Sequence, residues 1–382
     1  MAFQIRQLTP DDPAYEAVTR LRYAVCAEEE GLDIPGLDHA TQTMADALDA
    51  DSYILAAFDD NGEPIATIRT TPMQALPPDS AWRPFFGCLD FLVPPARQFM
   101  IGRLLVSAPH RGSNLWLRLL IESYEHCARS GLDLGFLACR PRQIGMYESV
   151  GCRRYKEAAG HAQYGLLVPM VHVLRDLEHA RRIRSKLRSR RVSLAHDAEL
   201  SARFAQHCGA AAQPSSVRLM APAEASRLLD ELIALKCTAF DGLERNDVQR
   251  TLKRSALIEL NGGTTILPRG NKGTELYVIL DGKVTVSTSD VSGPHRCDEL
   301  WPGQVFGEAS FLWNGHSPFN SDAATGGAAR LLCISADDFG ALRCARPDLA
   351  WHFLMGLCRA LGERLNAAPP AFSLQCVCRA AP

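Results

Sequence analysis

The chain has 382 residues, 47% of them hydrophobic and 22% charged, with a formal net charge of −2. That length suggests two or three domains at roughly 150 residues each, and the composition is that of an ordinary globular protein. The near-neutral balance excludes a molecule that binds polyanions over its whole surface. The thirteen cysteines include no CxxC pair, and only Cys376 and Cys378 lie close together. Neither a zinc site nor a disulfide framework is expected, and a reducing cytoplasm fits best. The opening MAFQIRQLTPDDP lacks the apolar core of a signal peptide. No run approaches the ~18 apolar residues that a transmembrane helix needs.

Residues 3–8, FQIRQL, alternate as a strand does. Asp12-Pro13 offers a cap and a first-turn proline for a helix carrying Tyr15, Val18, Leu21 and Val25 on one face. SYILAAF (52–58) and PIATIRT (64–70) flank Asp59-Asp60-Asn61-Gly62 and predict a hairpin. FMIGRLLVS (99–107) predicts a buried strand, Asn114 to about Ser130 a helix, and LGFLAC (134–139) another strand. A short helix over Gln143–Val150 and strands around RRYKE and YGLLVPMVHVL complete a mixed sheet with helices on it.

Between the strand at 99–107 and the next helix lies Pro-His-Arg-Gly-Ser. This turn is either a bare connection or an anion cradle, because a helix start points free N–H groups outward. Residues 175–191 hold eight Arg/Lys against two acids, with Leu177, Ala180, Ile183, Leu187 and Leu194 as a thin stripe. They predict a basic linker helix, either packed on its neighbour or touching an anionic membrane surface or nucleic acid. The stretch 195–250 reads as helix-rich. From about 257, period-2 runs with glycine corners predict a β-barrel or jelly roll, closed by helices over 336–365.

Two resemblances follow from these motifs. GGTTILPRGNKGTELYVILDGKVTV, LWPGQVFGEASFLW, ISADDFGAL and RPDLAWHFLMGLCRAL, spanning about 230–366, look like a cyclic nucleotide-binding domain. The resemblance implies that Gly307, Glu308, Ala309 and Ser310 form the turn that cradles a ribose-phosphate. The family's phosphate-gripping arginine has no counterpart, since residues 314–325, NGHSPFNSDAAT, contain neither Arg nor Lys and His316 is the only basic candidate. Losing that contact costs about 1.5–3 kcal/mol. Three roles stay open for this domain: a cyclic AMP or GMP sensor, a sensor of another ligand, or a structural and oligomerisation module. The Pro/Ala-rich residues 366–382 cannot hold a helix-turn-helix, so specific DNA binding is not expected.

RLLVSAPHRGSNLWLRLL and IGMYESVGCRRY resemble the donor and tyrosine motifs of the GNAT family of N-acetyltransferases. The resemblance implies that Leu104, Leu105 and Val106 pair with the pantetheine of a thioester donor. Arg111, Gly112 and Ser113 would hold its phosphate, and Tyr147 would protonate the departing thiolate. Asn114 and Trp116 stand where that motif has small residues. RLRYAVCAEEEGLD, ATIRT and GRLLV are similar to the autoinducer and N-acyl amino acid synthases. That likeness implies substrate-binding roles for Arg22, Asp38, Arg69 and Arg103, and leaves the base unassigned between Asp38 and a water relay.

The expected fold class is α+β, a mixed-sheet acyltransferase domain, followed by a β-barrel or jelly-roll cyclic-nucleotide-binding-like domain with flanking helices. The expected domains are 1–175, a basic helical linker over 176–225, 226–366, and a flexible tail over 367–382. The expected activity is transfer of an acyl group from acyl-CoA or acyl carrier protein to a small amine such as an amino acid, without a metal. An acyl tunnel lined by Phe85, Phe86 and Phe91 would favour long chains. A bacterial, cytoplasmic homodimer is the expected setting. A protein-lysine acetyltransferase coupled to cyclic AMP and a non-catalytic sensor or scaffold are the rival readings.

Overall fold

The computed structural model describes residues 3–87, 89–189, 195–208, 216–220, 222–241, 243–244, 246, 252, 255–288, 296–313, 318–319 and 321–367. The chain divides into two compact units, Met1–Val217 with Gly270–Lys272, and Arg218–Arg269 with Gly273–Pro382. The expected tail over 367–382 lies, apart from its first residue, outside the described residues, as do Leu194 and His316.

In the first unit, β1 (Gln4–Leu8) leads to α1 (Tyr15–Tyr23). Asp12 does not cap that helix; its carboxylate accepts instead from the Ala14 amide two residues on. The chain continues from α1 into one π-helical turn, Ala24–Glu29. A small ladder, β2 (Leu37–Asp38) with β3 (Thr43–Met44), follows. The predicted hairpin is β4 (Tyr53–Phe58) and β5 (Pro64–Pro72). After α2 (Trp82–Phe86) come β6 (Gln98–Val106), α3 (Leu115–Arg129) and β7 (Leu134–Cys139). Next are α4 (Ile144–Glu148), β8 (Arg153–Arg154), β9 (Ala159–His161) and β10 (Gly165–Val173).

The sheet runs β1-β4-β5-β6-β7-β10-β8, with β9 paired to β10. Its pairs are antiparallel except β6 with β7, which is parallel. A parallel neighbour needs a crossover, and α3 supplies it, burying Leu115, Leu119, Leu120, Tyr124 and Cys127. Every residue of β10 is buried, as expected of a strand covered on both faces.

The segment expected as a linker is instead largely built into this unit. α5 (Leu177–Arg182) stops early, and Arg184 takes a positive φ of 54°. Ser185 then donates to the Val150 carbonyl and the Lys186 amide to that of Ser149. This turns Leu187 into the interior, where it is 1% exposed. Leu200, Phe204 and Cys208 of α6 (Ala198–Cys208) join the core of Phe85, Phe86, Phe136 and Val171. Charge composition flags a solvated linker, but the apolar positions decide where the chain packs.

The second unit begins with β11 (Val217–Leu219) and α7 (Pro222–Ala234). One sheet adds β12 (Ala256–Leu260), β14 (Glu275–Asp281), β17 (Val305–Phe306) and β19 (Ala329–Ser335), in the order β11-β12-β19-β14-β17. The other sheet is β13 (Thr265–Leu267), β15 (Val284–Thr288), β16 (Arg296–Leu300) and β18 (Asp322–Thr325), in the order β13-β18-β15-β16. The short α8 (Glu308–Leu312) follows β17; α9 (Ala336–Ala345) and α10 (Pro347–Ala367) close the unit. Phe353 and Leu357 of α10 are fully buried in its core. No helix among the described residues is long and apolar enough to cross a membrane.

Gly135 pairs with Phe99 across the parallel ladder, and a Cβ there would overlap the Phe99 ring. Gly135→Ala should therefore destabilise the chain by about 1–3 kcal/mol, read as a lower Tm. With Phe99→Leu added, the combined loss should be smaller than the sum of the two single losses.

Candidate functional site

β6 is where the first sheet opens. It pairs with β7 only at Gln98, Phe99 and Met100, so the two strands part beyond Met100. On its other side β6 bulges: Thr67 pairs with Leu105 and Arg69 with Gly102, so Arg103 and Leu104 together oppose Ile68. Arg103 has φ 54°, a strained conformation for a residue with a Cβ. A bulge re-aims side chains, and here it aims Arg103 into a cavity of about 180 Å³. Arg69, Phe86, Leu104, Leu105, Tyr147 and Tyr164 also line that cavity.

A buried ionic network stands behind the cavity, and of its charged members Arg69 and Arg103 reach the lining. Arg22 Nη1 donates to Asp49 Oδ2 at 2.8 Å, and Arg69 Nη1 to Asp49 Oδ1 at 3.1 Å and to Asp46. Arg103 donates to Asp46 Oδ2 at 3.1 Å and to the Tyr164 hydroxyl at 3.0 Å. The Tyr15 hydroxyl donates to Asp49 Oδ2 at 2.6 Å. Arg22 and Asp49 are each 1% exposed. Burial opposes the charge of Asp49, but Arg22 and Arg69 more than offset it and hold its pKa below the ordinary value of 3.8. Burial lowers the Arg22 pKa. Three guanidinium groups against two carboxylates leave one positive charge in excess. Nε and Nη2 of Arg22 and Nε of Arg69 find no acceptor among the described residues.

The sequence-predicted residues divide between this network and other places. Arg22, Arg69 and Arg103 come together. Asp38 does not join them; it is exposed in β2, and its carboxylate accepts from the Ala40 and Thr41 amides of its own turn. Asp46 and Asp49 take the place expected for it. A signal existed, since Asp46 caps the one-turn helix Ala47–Asp49 and the pair forms a capping box.

Leu104 and Leu105 line the cavity, while the Val106 carbonyl accepts from Arg111 Nε at 3.1 Å. Gly112 has φ 80°, and a Cβ there would meet nothing within 4 Å. Ser113 Oγ donates to the His110 carbonyl at 2.6 Å, and α3 starts two residues later. The Lys186 ammonium lies 5.8 Å from the centre of the Trp116 ring. Tyr147 is 6% exposed, and burial first, then the Cys139 and Cys152 thiols, raises its pKa well above 10. Such a phenol stays protonated and donates a hydrogen bond, but gives up its proton reluctantly. Burial pushes the Cys26 thiol, also on the cavity, up to about 12, which suppresses it as a nucleophile. Of the three tunnel candidates, Phe86 lines the cavity, Phe85 sits in the core beside it, and Phe91 is 49% exposed.

In the second unit Gly307 adopts φ 82°, and a Cβ there would press on the Glu275 carbonyl at 2.6 Å. Glu308 and Ser310 are buried and Ala309 is exposed. Arg364 of α10 donates to Glu308 Oε1 and to the Val305 carbonyl, both at 2.8 Å. The carboxylate of the cradle turn is thus already paired.

Residues 257–343 match the family model of the cyclic nucleotide-binding domain. They are a cyclic nucleotide-binding domain. A CRP-like cAMP-activated global transcriptional regulator of Mycobacterium tuberculosis is 27% identical over 139 residues. That alignment covers 36% of this chain and 61% of the relative, so the chain spans about three fifths of the curated relatives it matches. The Thermus thermophilus catabolite activator protein is 30% identical, with a TM-score of 0.30, covering 34% of this chain and 58% of that one. A putative N-acetyltransferase from Lactobacillus plantarum is 20% identical, with a TM-score of 0.32, covering 46% of this chain and 99% of that one.

The pairing of Asp49 yields a test. Its folded pKa is depressed, so its stabilisation is present above the unfolded value near 4 and is lost as pH falls through the folded value. Asp49→Asn leaves the buried Arg22 guanidinium without its carboxylate and Arg69 with Asp46 alone, and should cost about 3–5 kcal/mol at neutral pH. Denaturant midpoints measured from pH 7 to 2.5 should show a steep acid loss in the wild type and a shallower one in the variant.

Proposed function

We propose that the first unit is an N-acyltransferase and that the cyclic nucleotide-binding domain regulates it. The observation that carries the first part is the opening between β6 and β7 next to the bulge at Arg103. Beyond Met100, the edge of β6 that faces β7 leaves the ladder, so its backbone groups can pair with the amides of an extended pantetheine arm. A thioester threaded there would bring its carbonyl to the cavity wall, where fixed N–H donors can stabilise the developing oxyanion. Gly112 and the start of α3 suit a phosphate at the end of that arm. The donor is acyl-CoA or acyl carrier protein, and Tyr147 is the group proposed to hydrogen-bond the departing thiolate.

The acceptor is a small amine bearing a carboxylate, such as an amino acid. Arg69 and Arg103 support this, because they are the two guanidinium groups of the network that line the cavity and could pair with an incoming carboxylate. The amine attacks the thioester carbonyl, the C–N bond forms, the C–S bond breaks, and the amine's proton leaves through water. A water relay is the proposed base, since Asp46 and Asp49 are held as ion-pair partners.

Two measurements test these parts. Incubating the protein with acetyl-, octanoyl- and palmitoyl-CoA and with acyl carrier protein, in the presence of mixed amino acids, should yield an N-acyl product by mass spectrometry. No product and no donor binding with any thioester would overturn the enzyme reading. For the second domain, cyclic AMP or cyclic GMP should raise Tm in a concentration-dependent way. An unchanged Tm with both would overturn the cyclic-nucleotide sensor and leave a sensor of another ligand or a structural and oligomerisation module.

A further inference from the structure

The run Cys26-Ala-Glu-Glu-Glu-Gly places three carboxylates side by side, and the fold gives two of them separate tasks. They lie on and just after the π-helical turn Ala24–Glu29. That turn closes through the Glu30 amide on the Val25 carbonyl at 3.1 Å, and the Leu32 amide bonds to the Cys26 carbonyl at 2.9 Å. Single π-helical turns are uncommon and cluster at functional sites.

From there Glu29 pairs with Arg111, and Glu30 lies 3.6 Å from Arg140. The two arginines stand on opposite lips of one opening. Arg111 follows the end of β6, and its Nε is fixed on the Val106 carbonyl. Arg140 directly follows the end of β7 and lines the cavity, as Glu30 does. Because β6 and β7 part beyond Met100, adjacent carboxylates on one turn reach across the mouth and hold both lips.

We infer that Arg111 and Arg140 are the two cationic contacts for the phosphate end of a thioester donor, and that Glu29 and Glu30 occupy those contacts until the donor displaces them. This rests on the acyltransferase reading. Carboxylate and phosphate make the same charge-assisted, forked contacts to guanidinium, so the two anions compete for the same groups. The Arg111 and Glu29 side chains are 49% and 34% exposed, and Glu30 is 34% exposed against 16% for Arg140. The Arg111–Glu29 pair is exposed enough to hold weakly, and at 3.6 Å Glu30 stands beyond hydrogen-bond length of Arg140, which suits an exchangeable clasp better than a structural bridge. A phosphate or pyrophosphate brings more charge than one carboxylate and gains the helix start as well. Arg140 thereby becomes a donor-binding residue outside the turn that carries Arg111.

The phosphate can belong to coenzyme A or to a carrier-bound phosphopantetheine, and the test separates them. Calorimetry on the full chain would use coenzyme A, dephospho-coenzyme A and 4′-phosphopantetheine as probes. Glu29→Gln/Glu30→Gln should tighten binding of the best probe by about fivefold, and Arg140→Ala should weaken it by about fivefold. The preferred probe identifies the source. Hydrogen exchange over residues 24–32 should rise when coenzyme A binds the wild type, a readout that needs no variant. Wild-type binding with an unchanged double variant and unchanged exchange would overturn the clasp and leave the acyltransferase reading standing. No binding of any probe to either protein would overturn both.

Discussion

Asp49 is the residue on which the first unit's buried ionic network depends. It is closed off from solvent and accepts from Arg22, Arg69 and Tyr15 at once. A carboxylate buried at that depth persists only with cations around it, and the cations persist only with the carboxylate. The group therefore fixes α1, β5 and the one-turn helix Ala47–Asp49 against one another. It also shapes the electrostatics of the cavity, because within this network of described residues three guanidinium groups face two carboxylates. Asp46 extends the network to Arg103 and so reaches the bulged strand.

The bulge and the opening of the sheet belong together. An extra residue in β6 turns Arg103 inward and increases the local twist. The ladder to β7 ends at Met100, just before the bulge at Arg103 and Leu104. The strain at Arg103 is offset by its ion pair with Asp46 and its bond to Tyr164. A glycine would accept that backbone conformation without strain but could not supply the charge.

Local structure was largely legible in the sequence. Strands β1, β4, β5, β6 and β7 and helix α3 fall within a residue or two of their predicted limits, because period and turn chemistry are short-range signals. The arginines were legible as types, since Arg22, Arg69 and Arg103 stand in recognisable segments. Their acidic partners were not. Asp38, Asp46 and Asp49 lie within twelve positions of one another, and only the fold decides which of them turns inward. The basic stretch 175–191 was legible only in part. Its apolar stripe includes Leu187, which is buried, but the Ser185 bond that helps to place it carries no compositional signal.

Arg364 shows the same limit in the cyclic nucleotide-binding domain. Reading only the turn and the residues after it finds a cradle without a cation. The fold brings a guanidinium from α10, some fifty residues further along the chain, onto Glu308. That contact has an energetic consequence for any anionic or sugar ligand offered to the turn. Such a ligand does not meet an open carboxylate; it must exchange with a partner already hydrogen-bonded to both Glu308 and the Val305 carbonyl. The affinity then depends on the difference between two sets of contacts, and a ligand that leaves Arg364 in place gains less than the cradle's geometry suggests. If the ligand instead takes Arg364 as its own counter-ion, Glu308 and the Val305 carbonyl lose the contact that ties α10 to the turn, and the ligand must offset that loss.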